Sequence, residues 1–138
     1  MILAFPFALA ALAAQPADSG DRKCADPQSQ AEMNTCAAIA FEQADAELDA
    51  EYARALSDAR ANDASPDSGR TEGDDRPGEE ATLSEAQRAW VAYRDSHCRL
   101  EGYSERGGSM EALVRDECLA RLTRERIAQL RPQPALGE

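Results

Sequence analysis

Four cysteines and one histidine carry the most specific chemistry in this 138-residue chain. The cysteines are Cys24, Cys36, Cys98 and Cys118, and the histidine is His97. A thiolate beside a histidine would serve as a nucleophile, and cysteines together with a histidine would bind zinc. An even number of cysteines in an exported chain instead favours disulfide bonds.

The positions of these residues argue against both the nucleophile and the zinc site. His97 and Cys98 are consecutive on a predicted helix, where neighbouring side chains point in different directions. Structural zinc sites usually contain two close pairs of ligands, whereas these cysteines are widely separated. We therefore expect no catalytic residue, no metal and no cofactor, and a protein that is not an enzyme.

Residues 1–14 have the composition of a cleaved signal peptide, with a buried N-terminal helix as the alternative. Apolar residues lie among alanines and end in Ala11-Leu12-Ala13-Ala14, which matches an A-x-A cleavage site, although no basic residue precedes them. The stretch is shorter than the roughly 20 residues that span a bilayer. No cysteine directly follows the cleavage site, as a lipid anchor would require. We expect a periplasmic or secreted protein with no stable membrane insertion.

The formal charge is −11, from 26 acidic and 15 basic residues, and Lys23 is the single lysine. Nucleic-acid binding is disfavoured because affinity for phosphate comes from clustered lysine and arginine. The charge favours a basic protein partner, or it simply keeps the protein soluble.

Hydrophobic periodicity predicts an all-α fold, a small antiparallel bundle of three helices stapled by two disulfides. The first helix starts at Asp26-Pro27 or at the capping box Ser29-x-x-Glu32 and runs to about Ala61. Residues 62–80 lack any apolar residue larger than alanine and predict a disordered acidic loop, either a solvated spacer or a contact for a basic partner. One domain over residues 15–131 follows, with 132–138 as a flexible tail.

Overlapping capping boxes at Thr82 and Ser84 predict the start of the second helix. Ser109 is the predicted N-cap of the third helix. The predicted inner face of helix two contains Leu83, Ala86, Trp90, Tyr93, His97 and Leu100/Glu101. That of helix three contains Leu113, Val114, Leu119, Leu122, Ile127 and Leu130. Arg94 is interpreted as a surface or interhelical ion-pair residue, with a recognition pair Arg94-Asp95 as the alternative.

The cysteine pairing follows from the helical hairpin. A turn at residues 102–109 sets residue 98 opposite about residue 114, one helical turn from Cys118. Cys24 and Cys36 flank a short entry into the first helix. We therefore predict the disulfides Cys24–Cys36 and Cys98–Cys118.

Four segments resemble the LprI-like family of small exported bacterial proteins, whose founding members are lysozyme inhibitors. They are AEMNTCA (31–37), ADAELDAEY (44–52), AQRAWVAYRDSHC (86–98) and CLARLTRER (118–126). The resemblance implies an exported lysozyme-inhibitor-like protein, and the acidic charge favours a basic, c-type lysozyme as its partner. A non-inhibitory module that binds another envelope protein is the alternative.

The turn between helices two and three is the candidate inhibitory loop. A lysozyme cleft contains a general acid and a carboxylate, so a blocker needs a protruding loop with hydrogen-bond donors. Tyr103, Ser104 and Arg106 supply such donors. A plain connector between helices is the alternative.

Overall fold

A computed structural model describes residues 24–66 and 68–132. Within these residues the chain forms three long helices and no strand: α1 (Gln30–Ala64), α2 (Glu79–Gly102) and α3 (Glu111–Leu130). A short 3₁₀-helix, Tyr103–Glu105, lies in the turn between α2 and α3. The predicted all-α, three-helix fold is confirmed. The predicted signal peptide and the residues after 132 lie outside the described part of the chain.

The three helices pack with α2 antiparallel to both of the others. Asn34 Nδ2 of α1 donates to the carbonyl of Ser109 just before α3, and Arg54 Nη2 donates to the carbonyl of Leu130 at the end of α3. These two contacts place α1 and α3 parallel. Because α1 is about 52 Å long and α3 about 30 Å, the C-terminal part of α1 extends beyond α3 and meets the start of α2.

Both predicted disulfides are present, each with a Cα–Cα distance of 5.4 Å. The bond Cys24–Cys36, here called the N-terminal disulfide, ties the residues before α1 to its second turn. The bond Cys98–Cys118, the hairpin disulfide, joins α2 to α3 at the centre of a small buried cluster. Leu119 and Leu122 complete this cluster, and Phe41 and Trp90 pack against it.

The caps of the three helices agree with the sequence prediction at α1 only. Ser29 Oγ accepts from the backbone N–H of Glu32, as the capping box predicts. The predicted caps of α2 at Thr82 and Ser84 are wrong, because α2 begins three residues earlier, at Glu79. Asp63, in the last turn of α1, caps α2 instead.

The Asp63 carboxylate accepts the backbone N–H groups of Glu79 at 2.8 Å and Glu80 at 3.0 Å. These two hydrogen bonds hold the pKa of Asp63 below its ordinary value, and the bond from Glu80 has the larger effect. A side chain from the preceding helix thus satisfies the N–H groups that a helix start leaves unpaired.

The predicted cap of α3 at Ser109 is also wrong. Helix α3 begins at Glu111 without a side-chain cap, and the Ser109 carbonyl accepts from Asn34. The Glu111 carboxylate instead accepts from the backbone N–H of Gly107 at 2.7 Å. Gly107 has a φ of +77°, a backbone conformation that favours glycine and turns the chain into α3.

The inner face of α2 differs from the predicted face by about one residue, or 100° of rotation. Tyr93 is 55% exposed and Leu100 66% exposed, although both were expected inside. The buried residues of α2 are Gln87, Arg94, Cys98 and Gly102. On α3, Leu113, Leu119, Leu122 and Ile127 are buried as predicted, while Val114 and Leu130 are half-buried.

The acidic segment between α1 and α2 is shorter than the sequence pattern suggested. Its first residues, 62–64, belong to α1, and Glu79 and Glu80 belong to α2. Its charged contacts are local: Arg76 pairs with Asp74 at 2.6 Å and thereby lowers the pKa of that carboxyl group. The role of residues 65–78 as a solvated spacer stays a prediction.

Candidate protein-binding site

The turn between α2 and α3 protrudes from one end of the bundle. We call residues 103–110 the tip, and all eight are exposed. The backbone N–H of Arg106 donates to the carbonyl of Tyr103, and that of Gly108 donates to the carbonyl of Glu105. The tip is therefore a folded turn that presents a compact surface.

The tip is anchored to the rest of the bundle from two sides. The hairpin disulfide ties the two helices that flank it, and both of its cysteines are at most 2% exposed. Asn34, two residues before Cys36 of the N-terminal disulfide, holds Ser109 through its 2.9 Å hydrogen bond. Both disulfides thus lie at the same end of the molecule as the tip.

The three residues predicted for binding all lie on the tip. The Arg106 guanidinium stacks over the Tyr103 ring, 4.5 Å from its centroid. Tyr103 is 40% exposed, and Ser104 and Arg106 are exposed as well. Their part in binding a partner stays a prediction.

Exposed large hydrophobic residues concentrate at this end of the molecule. In the described part of the chain they are Tyr93, Leu100, Tyr103 and Met110. Tyr93 and Leu100 lie seven residues apart on the outer face of α2, which leads to the tip, and the Tyr93 ring stacks on His97 with centroids 5.2 Å apart. An apolar surface of this kind is typical of protein–protein contacts.

Sequence reasoning missed Tyr93, Leu100 and Met110 as surface residues, yet one signal was present. Cys98 must face α3 to form its disulfide with Cys118. Residues four positions apart share a helix face, so Arg94 must face inward with Cys98. Tyr93 and Leu100 are then turned away from α3.

Arg94 is the buried charge at the junction of all three helices. Its Nη1 donates to Asp45 of α1 at 2.6 Å and to Thr123 of α3 at 3.2 Å, and its Nε donates to Asp95 at 2.9 Å. The guanidinium carbon lies 5.1 Å from the ring centroids of Phe41 and Trp90. The interpretation of Arg94 as an interhelical ion-pair residue is correct, and its contacts with α1 and α3 support the rotation of α2 that the hairpin disulfide requires.

The sulfur atoms offer no thiolate for catalysis or for zinc. Among the described residues, His97, Glu101 and Cys118 form the one cluster of potential metal ligands. The Cys118 sulfur is bonded to Cys98, so it lacks the charge that a metal-bound or nucleophilic sulfur carries. His97 Nε2 instead lies 2.9 Å from Glu101 Oε1, which also accepts from Arg121.

The acidic charge is concentrated on α1. This helix contains eight carboxylates against two arginines, whereas α3 contains four of each sign. Several α1 carboxylates pair with arginines, as Glu47 does with Arg131 at 2.6 Å. Glu42 and Asp49 are exposed to solvent seven residues apart on one face of α1. This face gives the molecule a negative side.

None of the described helices is long and apolar enough to cross a membrane.

An uncharacterized protein of Rhizobium meliloti (strain 1021) is 40% identical over 111 residues, which cover 78% of this chain and 76% of that relative. No solved structure matches the chain significantly. The family model described as lysozyme inhibitor LprI matches residues 21–130. The matched residues cover most of the chain and include its three described helices and both disulfides. The chain therefore belongs to the LprI lysozyme inhibitor family.

Proposed function

We propose that this protein is exported and inhibits a basic, c-type lysozyme by placing its tip against the enzyme's substrate cleft. The observation that carries the proposal is the concentration of exposed large hydrophobic residues on the tip and on the adjoining face of α2. Aromatic anchors in such patches supply most of the binding energy of protein interfaces. Family membership directs the proposal to a lysozyme.

The tip carries hydrogen-bond donors that suit a cleft containing carboxylates. The Tyr103 and Ser104 hydroxyl groups and the Arg106 guanidinium all donate, and a guanidinium binds a carboxylate with two parallel hydrogen bonds. The stacking of Arg106 on Tyr103 restricts both side chains before binding. This arrangement lowers the conformational entropy lost when the complex forms.

Charge supports the choice of a basic partner. With a formal charge of −11, much of it on α1, the protein attracts a cationic enzyme over distances of about 10 Å at 0.1 M salt. Two disulfides are consistent with export, because such bonds persist in oxidising compartments.

A cell-wall turbidity assay with purified protein and c-type lysozyme tests the proposal. We expect inhibition at micromolar protein and low salt, with weaker inhibition as salt rises. The double variant Tyr103→Ala, Arg106→Ala should weaken inhibition about tenfold or more, because truncation of interface anchors typically costs 1–2 kcal/mol or more each. The control Arg88→Ala removes an exposed arginine of α2 away from the tip and should leave inhibition unchanged.

Two outcomes would contradict the proposal. If inhibition persists in the double variant, the binding site lies elsewhere, and the acidic face of α1 is the next surface to test. If no lysozyme is inhibited, the protein is a non-inhibitory envelope-binding module. Circular dichroism of each variant establishes that the fold is intact.

A further inference from the structure

A cleft of about 520 Å³ lies beside the tip, among all three helices. Its apolar lining comes from Phe41, Leu119 and the Tyr103 side chain, and its basic lining from three arginines. The arginines are Arg94, Arg99 and Arg115. A volume of this size is within the range of small-molecule sites.

The two carboxylates that line the cleft are already hydrogen-bonded. Asp95 accepts from Arg94 Nε at 2.9 Å, and Glu111 accepts from the backbone N–H of Gly107. The carboxylates of Asp45 and Asp116, which pair with Arg94 and Arg115, do not line the cleft. These carboxylates balance the charges of Arg94 and Arg115, so Arg99 is the lining arginine whose charge has no ion-pair partner among the described residues.

Arg94 has donors left over for a ligand. Its side chain is 7% exposed, and its hydrogen bonds within the described residues use Nε and Nη1. In this part of the chain no buried side-chain nitrogen or oxygen atom lacks a partner. The Nη2 group makes no hydrogen bond with the described residues, and Arg94 lines this cleft.

Arg99 supplies the second set of donors. It is exposed and makes no hydrogen bond or ion pair with the described residues other than those within the helix backbone. Because a guanidinium group is planar and presents paired N–H donors, it matches the two oxygens of a carboxylate. The apolar floor at Phe41 and Leu119 favours a ligand whose carboxylate is attached to an apolar body.

We propose that this cleft binds a small organic carboxylate with an aromatic or aliphatic body. The carboxylate lies between Arg94 and Arg99, and the body lies on Phe41 and Leu119. The site adjoins the proposed lysozyme contact and shares Tyr103 with it. Binding here does not depend on whether the protein inhibits a lysozyme.

Titration of the full-length, ¹⁵N-labelled, disulfide-bonded chain with phenylacetate at low ionic strength tests this site by NMR. We expect saturable shifts of the backbone amides of Gly102 and Tyr103. Phenylacetamide has the same shape without the charge, and inorganic phosphate has the charge without the apolar body. Each compound should bind at least about tenfold more weakly than phenylacetate. Phenylacetamide loses the hydrogen bonds of a charged group and phosphate loses the buried apolar body, and either loss lowers the affinity by about that factor.

The matched variants are Arg99→Glu and Arg88→Glu. Both reverse an exposed arginine on α2, about 16 Å apart along the helix, so their effect on the overall charge is identical. We expect Arg99→Glu to weaken phenylacetate binding at least about tenfold and Arg88→Glu to change it less than about twofold. Arg99→Gln should give a smaller loss of the same sign.

The assignment is overturned by any of three results. These are absence of phenylacetate binding at millimolar concentration, equal binding of phenylacetamide or phosphate, and equal effects of the two charge reversals. Arg94 is unsuitable as the test residue, because its loss also removes contacts among the three helices.

Discussion

Replacement of Arg94 by alanine is the sharpest test of how this small bundle is held together. The side chain connects α2 to Asp45 of α1 and Thr123 of α3, and its guanidinium carbon lies 5.1 Å from the ring centroids of Phe41 and Trp90. Its loss removes two interhelical hydrogen bonds and two cation–π contacts, together with the buried methylene groups of the side chain.

The magnitude follows from these contacts. The two hydrogen bonds together contribute about 1.5 kcal/mol, no more than one weak bond to a charged group, because the Asp45 side chain is 41% exposed and therefore screened and the bond to Thr123 is long at 3.2 Å. The two ring contacts contribute about 1–2 kcal/mol together. Two buried methylene groups contribute about 1.6 kcal/mol. We expect Arg94→Ala to lower the free energy of unfolding by about 4–5 kcal/mol, much of the 5–15 kcal/mol available to a small domain.

Urea-induced unfolding with the disulfides intact measures this loss. Trp90, the single tryptophan of the chain, packs against Arg94 and reports unfolding by fluorescence, and far-UV circular dichroism follows the helices. Arg94→Met retains an unbranched apolar side chain and should lower the free energy of unfolding only about half as much as Arg94→Ala does. Arg88→Ala, at an exposed position, should stay within about 0.5 kcal/mol of the natural protein. A loss below about 1 kcal/mol for Arg94→Ala would refute the reasoning.

Further predictions concern the acidic segment, the cap of α2 and the disulfides. Replacing residues 66–77 with a short Gly/Ser linker should change the melting temperature only slightly in a thermal scan, since loop-closure entropy varies slowly with length; a large drop would mean that the segment packs. Asp63→Asn should destabilise the protein at neutral pH, because the lowered pKa of Asp63 reports a carboxylate stabilised by two N–H groups. That stability is present above the ordinary carboxyl pKa of about 3.9 and is lost as the pH falls through the lowered value, so unfolding curves of the two proteins should converge at acidic pH. Under native conditions a thiol reductant should open the half-buried N-terminal disulfide before the buried hairpin disulfide, because burial limits access to the sulfur atoms. Alkylation of the freed cysteines followed by mass mapping measures the order, and the reverse order would show that burial does not govern access.

Local sequence patterns predicted the candidate site in part. The glycine-containing turn and its three donors, Tyr103, Ser104 and Arg106, were identified from the break in helical periodicity, and all three lie on the exposed tip. Tyr93 and Leu100 were assigned to the inner face of α2 because they recur at helical spacing with Leu83, Ala86 and Trp90. Their exposure on α2 reveals the apolar surface next to the tip, which residue type alone does not indicate.

The sequence by itself determined the number and type of helices and the pairing of the cysteines. Helical periodicity depends on residues three and four positions apart, and the hairpin disulfide depends on one short turn, so neighbouring residues contain this information. The predicted hairpin disulfide already constrains the rotation of α2, because Cys98 must face α3, but the burial of an arginine on that face depends on contacts distant in the chain. Burial of the Arg94 charge is favourable only because Asp45 and Thr123, 49 and 29 residues away, supply oxygens to its guanidinium. The start of α2 likewise depends on Asp63, sixteen residues before Glu79. Such choices between competing faces and caps are decided by partners that only the tertiary structure brings together.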